Sequence, residues 1–103
     1  MKTNKKEEKH CNHLLKTIGD YWTLSIIMEL KKGKKRFCEL ERAINKINPA
    51  TLTERLKKLE KARFIDREKE LSDKLSVTYS LNKKGLGLIP IVDEINSFAS
   101  SFP

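Results

Sequence analysis

The sequence predicts a mainly α-helical domain with one small β-hairpin, an α+β fold, and three observations carry that prediction. Two short apolar-periodic segments between Arg36 and Arg67 are joined by a tight turn. The hydrophobic period then changes from helical to alternating across Phe64–Leu81. A third stretch, from Leu88 onward, returns to helical spacing. With 103 residues there is room for one domain and one modest core. The expected plan is a helix-turn-helix followed by a hairpin wing, flanked by N- and C-terminal helices.

Residues 1–10 are polar and lysine-rich and are expected to form a flexible basic arm, with residues 11–103 making the single domain. A first helix is expected to begin by Cys11 and to bend near Gly19. The next runs from Asp20, an N-cap residue type, to Lys32, with Trp22, Ile26, Ile27 and Leu30 on one face. Lys31 and Lys32 suit the negative end of its dipole, and Gly33 is a stop. Lys34-Lys35-Arg36 is read as a basic loop.

The motif itself follows. Phe37–Ile44 carries Phe37, Leu40, Ala43 and Ile44, the turn is Asn45-Lys46-Ile47, and the second helix spans Asn48–Ala62 with Leu52, Leu56 and Leu59. Asn48 accepts from the free N–H groups of that helix, and Pro49 gives up an N–H that would lack a partner anyway. Phe64–Arg67 and Ser76–Leu81 are the expected strands, with Ser72-Asp73-Lys74 as the hairpin tip. Asn82 caps one last helix to about Ser100, on which Leu88, Ile91, Val92, Ile95, Phe98, Ala99 and Phe102 share a broad apolar face. So much apolar surface on a terminal helix of a small domain points to a second copy of the chain.

The formal charge is +8, from 22 Lys+Arg against 14 Asp+Glu, which favours a polyanionic partner. No apolar run approaches the roughly 18 residues that span a bilayer, so a cytoplasmic protein without membrane association is expected. Phosphate-binding glycine loops, nucleophile elbows and paired-histidine motifs are absent, which argues against an enzyme and against a bound cofactor. His10, Cys11 and His13 crowd one segment and Cys38 lies in another, unlike the paired spacing of zinc ligands, so no metal site is expected. Cys38 is read as a buried small hydrophobe.

On a helical wheel, Leu52, Leu56 and Leu59 occupy one arc, with Ala50, Glu54, Lys57, Lys58 and Lys61 opposite. Thr51 and Arg55 flank one side and Thr53 the other. In a helix-turn-helix the N-terminal residues of this helix reach furthest into the major groove. Double-stranded DNA is therefore the expected partner, met by Pro49, Ala50, Thr51, Thr53, Glu54, Arg55 and Lys58. Lys35, Arg36, Lys69 and Lys74 are expected to hold flanking phosphates. The competing reading is a winged-helix adaptor for protein or RNA. It calls for apolar residues on the exposed face, where this chain has small and charged ones.

Four blocks in order resemble the HxlR-type winged helix regulators, a MarR-like group: Gly19–Leu24, Arg36–Leu40, Leu52–Glu60, and Val77–Leu81 with Gly85 and Leu88. The resemblance spans Leu14 to Phe98. It implies a homodimeric, sequence-specific transcriptional regulator on a pseudo-palindromic operator, and it names no small-molecule effector. It also implies an interface built from the terminal helices, here Leu14, Leu15, Ile18, Leu88, Ile91, Val92, Ile95 and Phe98. Many members carry a reactive cysteine near the N-terminus. Cys11 is the candidate for such redox sensing, although it lies closer to Gly19 and precedes Asn12 rather than Pro. Arg63 stands where many members have a helix-ending Gly, so it is expected either to bear local strain or to end the helix differently.

Overall fold

The computed structural model describes residues 5–71 and 75–103. In chain order the elements are α1 (Lys5–Ile18), α2 (Tyr21–Lys31), β1 (Lys35–Arg36), α3 (Phe37–Ala43), α4 (Pro49–Lys61), β2 (Ile65–Leu71), β3 (Leu75–Leu81), α5 (Lys83–Leu86) and α6 (Ile89–Ser101). The helix-turn-helix is α3–α4, and the antiparallel β2–β3 hairpin follows it.

The first helix begins at Lys5, well before the expected Cys11, so residues 5–10 of the anticipated arm are helical. Lys and Glu are good helix formers, and Glu7 and Glu8 in the first turn complement the dipole there. At the other end, Gly19 N–H donates to the Leu15 carbonyl at 2.7 Å. A Cβ on Gly19 would collide with that same carbonyl oxygen. Helix α2 ends as expected, with Gly33 at φ 136°, a left-handed backbone that only glycine adopts without strain.

In the motif, Glu39 reaches back to accept the Arg36 N–H at 3.0 Å and fixes the start of α3. The turn closes through Lys46 at φ 65°, which lets both Ile44 and Ile47 point inward. Asn48 Oδ1 accepts the Ala50 N–H at 2.7 Å, so α4 starts where its cap and Pro49 predict. Leu52, Leu56 and Leu59 lie in the centre of the core with Ile26, Ile27 and Leu40.

Helix α4 ends in two reverse hydrogen bonds, Phe64 N–H to Leu59 carbonyl and Arg63 N–H to Glu60 carbonyl, both 3.0 Å. This pattern requires a left-handed residue, and Arg63 supplies it at φ 63°. Asn82 Nδ2 donates to the Arg63 carbonyl at 2.7 Å and ties the strained residue to the far end of the hairpin.

Two differences from the sequence expectation concern the sheet and the C-terminus. Lys35–Arg36 is not a loop but a short edge strand, with Lys35 opposite Tyr79 and Arg36 opposite Thr78, giving the order β1-β3-β2. A two-residue strand is held by its partner and has no periodicity of its own. The single last helix is broken into α5 and α6 at Gly87–Leu88. Pro90 has no N–H to give to the carbonyl four residues back, and the chain tightens, with Leu88 N–H bonding to the Gly85 carbonyl at 3.0 Å. Asn82 still caps, accepting the Gly85 N–H at 2.9 Å. The expected tip Ser72-Asp73-Lys74 lies outside the described residues.

Candidate nucleic-acid interface

The solvent face of α4 begins at its N-terminus, where Pro49, Ala50, Thr53 and Glu54 are exposed and Thr51 is half-buried. The Thr53 hydroxyl donates to the Pro49 carbonyl at 2.9 Å and so is turned back along the helix. Lys57 and Lys61 continue the exposed face one and two turns on. Glu54 is paired rather than bare, with Arg55 Nη1 2.8 Å from Oε1.

Lys58, expected on the outward face, and Arg55, expected on its flank, are both turned to a carboxylate. Arg55 Nε donates to Asp20 Oδ1 at 3.2 Å, and Lys58 Nζ approaches Asp20 Oδ2 at 3.4 Å. The reason is local: their flank of α4 packs against the α1–α2 corner, where the N-cap of α2 presents a carboxylate. Asp20 was legible in the sequence only as a cap. Its carboxyl is pushed up by partial burial, but the Thr23 N–H and hydroxyl and the Arg55 guanidinium outweigh that and hold it at about 2, against an ordinary 3.8.

Beside the motif, Arg36 is exposed on β1 and Lys35 is half-buried next to it. Lys69 is exposed on β2. The edge strand therefore sets a basic pair on the sheet next to the hairpin. Lys74, expected at the tip, lies outside the described residues.

The terminal helices divide differently from the expectation. Ile18, Leu88 and Val92 are buried in the protomer's own core, and Leu14 packs against it. They are structural here because Leu88 and Val92 form the stripe of the C-terminal segment that faces α2. Ile91, Ile95, Phe98 and Phe102 form a second stripe that faces solvent, with Ile95 50% and Phe98 67% exposed. The Phe98 and Phe102 rings lie 4.9 Å apart. On α1, Leu15 is exposed.

Cys11 is exposed on α1, and Cys38, expected to be buried, is exposed too. Cys38 sits two residues from Leu40 on α3, which puts it on nearly the opposite side of the helix from that core residue. Among the described residues, no helix is long and apolar enough to cross a membrane.

Residues 17–103 match the model of the HxlR-like helix-turn-helix family. The chain belongs to this family. Its members here are transcriptional regulators rather than enzymes, and the chain is a regulator of the helix-turn-helix type. It is 35% identical over 81 residues to the HTH-type transcriptional regulator YvaP of Bacillus subtilis, covering 79% of this chain and 75% of that protein. Among solved structures, a protein of Porphyromonas gingivalis W83 described as a MarR-family regulator superposes with a TM-score of 0.87 at 30% identity, with full coverage of both chains. The redox regulator HypR in its reduced form gives a TM-score of 0.81 at 32% identity, covering 88% of this chain and 90% of that one. The HxlR-like match includes the Asp20 cap, the α3–α4 motif and the hairpin in one span.

Proposed function

We propose that this HxlR-like regulator binds double-stranded DNA as a homodimer, each α4 reading one half of a pseudo-palindromic operator in the cytoplasm. The observation that carries the reading is the exposed N-terminal face of α4. It presents small and polar groups, Pro49, Ala50, Thr53 and Glu54, with no large apolar side chain. Small residues allow close approach to base edges, and Thr51 offers both a methyl and a hydroxyl to them. An adaptor for protein contact would need an apolar anchor on this face. Lys35, Arg36 and Lys69 are suited to flanking phosphates, which fix register without reading sequence.

The dimer reading is supported by the outward stripe Ile91, Ile95, Phe98 and Phe102 together with Leu15. Half-sites would then lie about one helical turn apart, roughly 10 base pairs, or a multiple of it. Selection of bound duplexes from a random pool at fixed salt tests this directly. Recovery of two inverted half-sites is the expected result, and an unenriched pool would refute sequence-specific binding.

A second reading adds thiol sensing at Cys11. It is favoured by the exposure of that thiol on α1 and by the likeness to HypR, a redox regulator. Repeating the selection with oxidant, with wild type and Cys11→Ser, decides it: an oxidant response that survives in Cys11→Ser rules this thiol out.

A further inference from the structure

The N-cap of α2 holds more than its own helix. Asp20 Oδ1 accepts the Thr23 N–H at 3.0 Å, and Oδ2 accepts the Thr23 hydroxyl at 2.7 Å. A carboxylate has about four acceptor sites, so two remain after capping. Arg55 takes one and Lys58 approaches the other, at 3.2 and 3.4 Å. Lys58 Nζ also lies 3.4 Å from the Lys16 carbonyl, near the end of α1. Arg55 turns its other arm to Glu54 Oε1 at 2.8 Å. A single carboxylate at the α1–α2 corner thus joins α2 to α4, and Lys58 extends the link to the end of α1.

Capping alone does not call for a charge, because Asn, Ser and Asp cap about equally well. The charge of Asp20 is matched to two cations on the flank of α4, next to its solvent face. An unheld Arg or Lys there would be drawn to any phosphate, whatever the sequence, since that attraction comes from counterion release. Held as they are, Arg55 is only 21% exposed and Lys58 33%.

We propose that Asp20 is a specificity-determining positioning residue: it retains Arg55 and Lys58 at the α1–α2 corner, so that α4 meets a duplex through Pro49, Ala50, Thr51 and Glu54 instead of through two mobile cations. This rests on α4 being the reading helix, as proposed above. Loss of the carboxylate makes the protein bind more DNA and discriminate less. Glu54 also loses its fixed orientation, since Arg55 no longer bridges it to Asp20.

The test uses Asp20→Asn, which keeps a good cap and removes the charge. Binding to a selected duplex and to a scrambled duplex of equal length is titrated across salt. The expected result is a scrambled-duplex affinity raised roughly tenfold, and a plot of log K against log salt steeper by about 1 to 2. Adding Arg55→Gln and Lys58→Gln to that variant returns the slope to the wild-type value. In the wild-type background the same two changes leave the slope unaltered, because held cations contact no phosphate. A shallower slope there overturns the proposal without relying on Asp20→Asn. So does an equal loss of affinity for both duplexes at unchanged slope, which marks Asp20 as merely structural. A wild type that prefers no selected sequence brings down the DNA reading itself, and this proposal with it.

Discussion

The Arg55 guanidinium donates to Asp20 across 35 positions of sequence, with Nε 3.2 Å from Oδ1. That contact fixes the rotation of α4 about its own axis relative to α2. The buried leucines set which side of α4 faces inward, but a leucine stripe tolerates some rolling. A directional ion pair on one flank removes that freedom.

The same carboxylate makes stability depend on acid, because it accepts from the Thr23 N–H and hydroxyl and, less strongly, from Arg55. The folded-state carboxyl of Asp20 is lowered to about 2 from 3.8. Its contribution is therefore complete above about pH 4 and is lost as the pH falls toward 2, because the unfolded chain takes up the proton first. Urea unfolding at pH 6 and pH 2.5 should show wild type losing more stability than Asp20→Asn, by on the order of 1 kcal/mol for a partly exposed site. Equal losses would mean that the ionised Asp20 carboxylate carries no net energy over its neutral form.

Arg63 occupies a left-handed conformation at φ 63°, in a helix ending built for glycine. Arg63→Gly removes the Cβ clash and adds backbone freedom to the unfolded chain, two effects of opposite sign. The first is larger at this geometry, about 1–2 kcal/mol. The net expectation is a gain of about 0.5–1 kcal/mol, seen as a higher thermal midpoint. Arg63→Ala keeps the clash and should not raise it.

What could be read from the sequence was local. Asp20, Asn48 and Asn82 cap by their own chemistry, Gly33 stops a helix by its own backbone, and the leucines of α4 repeat at helical spacing. What could not be read was settled by partners far along the chain. Lys35–Arg36 becomes a strand only because Thr78 and Tyr79 lie beside it. Arg55 and Lys58 looked available on a wheel, which shows the side a residue takes but not a carboxylate waiting on another helix. The apolar face from Leu88 to Phe102 was too broad for one contact, and its division into an inner and an outer stripe depends on where α2 lies. The break at Gly87–Leu88 was signalled in the sequence by Pro90, since proline inside a helical run marks a stop or kink just before it.

That division separates two kinds of substitution. Leu88 is buried, and Leu88→Ala should destabilise the fold by about 2–4 kcal/mol, judged by urea unfolding. Ile95 is half-exposed, and Ile95→Asp should leave the protomer folded while abolishing the proposed dimer. Circular dichroism with light scattering distinguishes them. A wild type that scatters as a monomer at micromolar concentration removes the interface proposal altogether.

The proposed reading face and the proposed phosphate contacts should respond differently to mutation. Arg36→Ala and Lys69→Ala alter exposed cations on β1 and β2. Each should weaken all duplexes alike and lower the salt slope by about 1. Glu54→Ala changes a carboxylate that Arg55 holds on the exposed face of α4. Its effect should fall on one base pair of each half-site, relaxing preference there by about 1–3 kcal/mol with little change in slope. Binding of every single-base variant of the selected operator measures both quantities together. A uniform loss across all variants for Glu54→Ala would move that residue from base reading to positioning. The Asp20–Arg55–Glu54 chain would then act on the duplex through helix orientation alone.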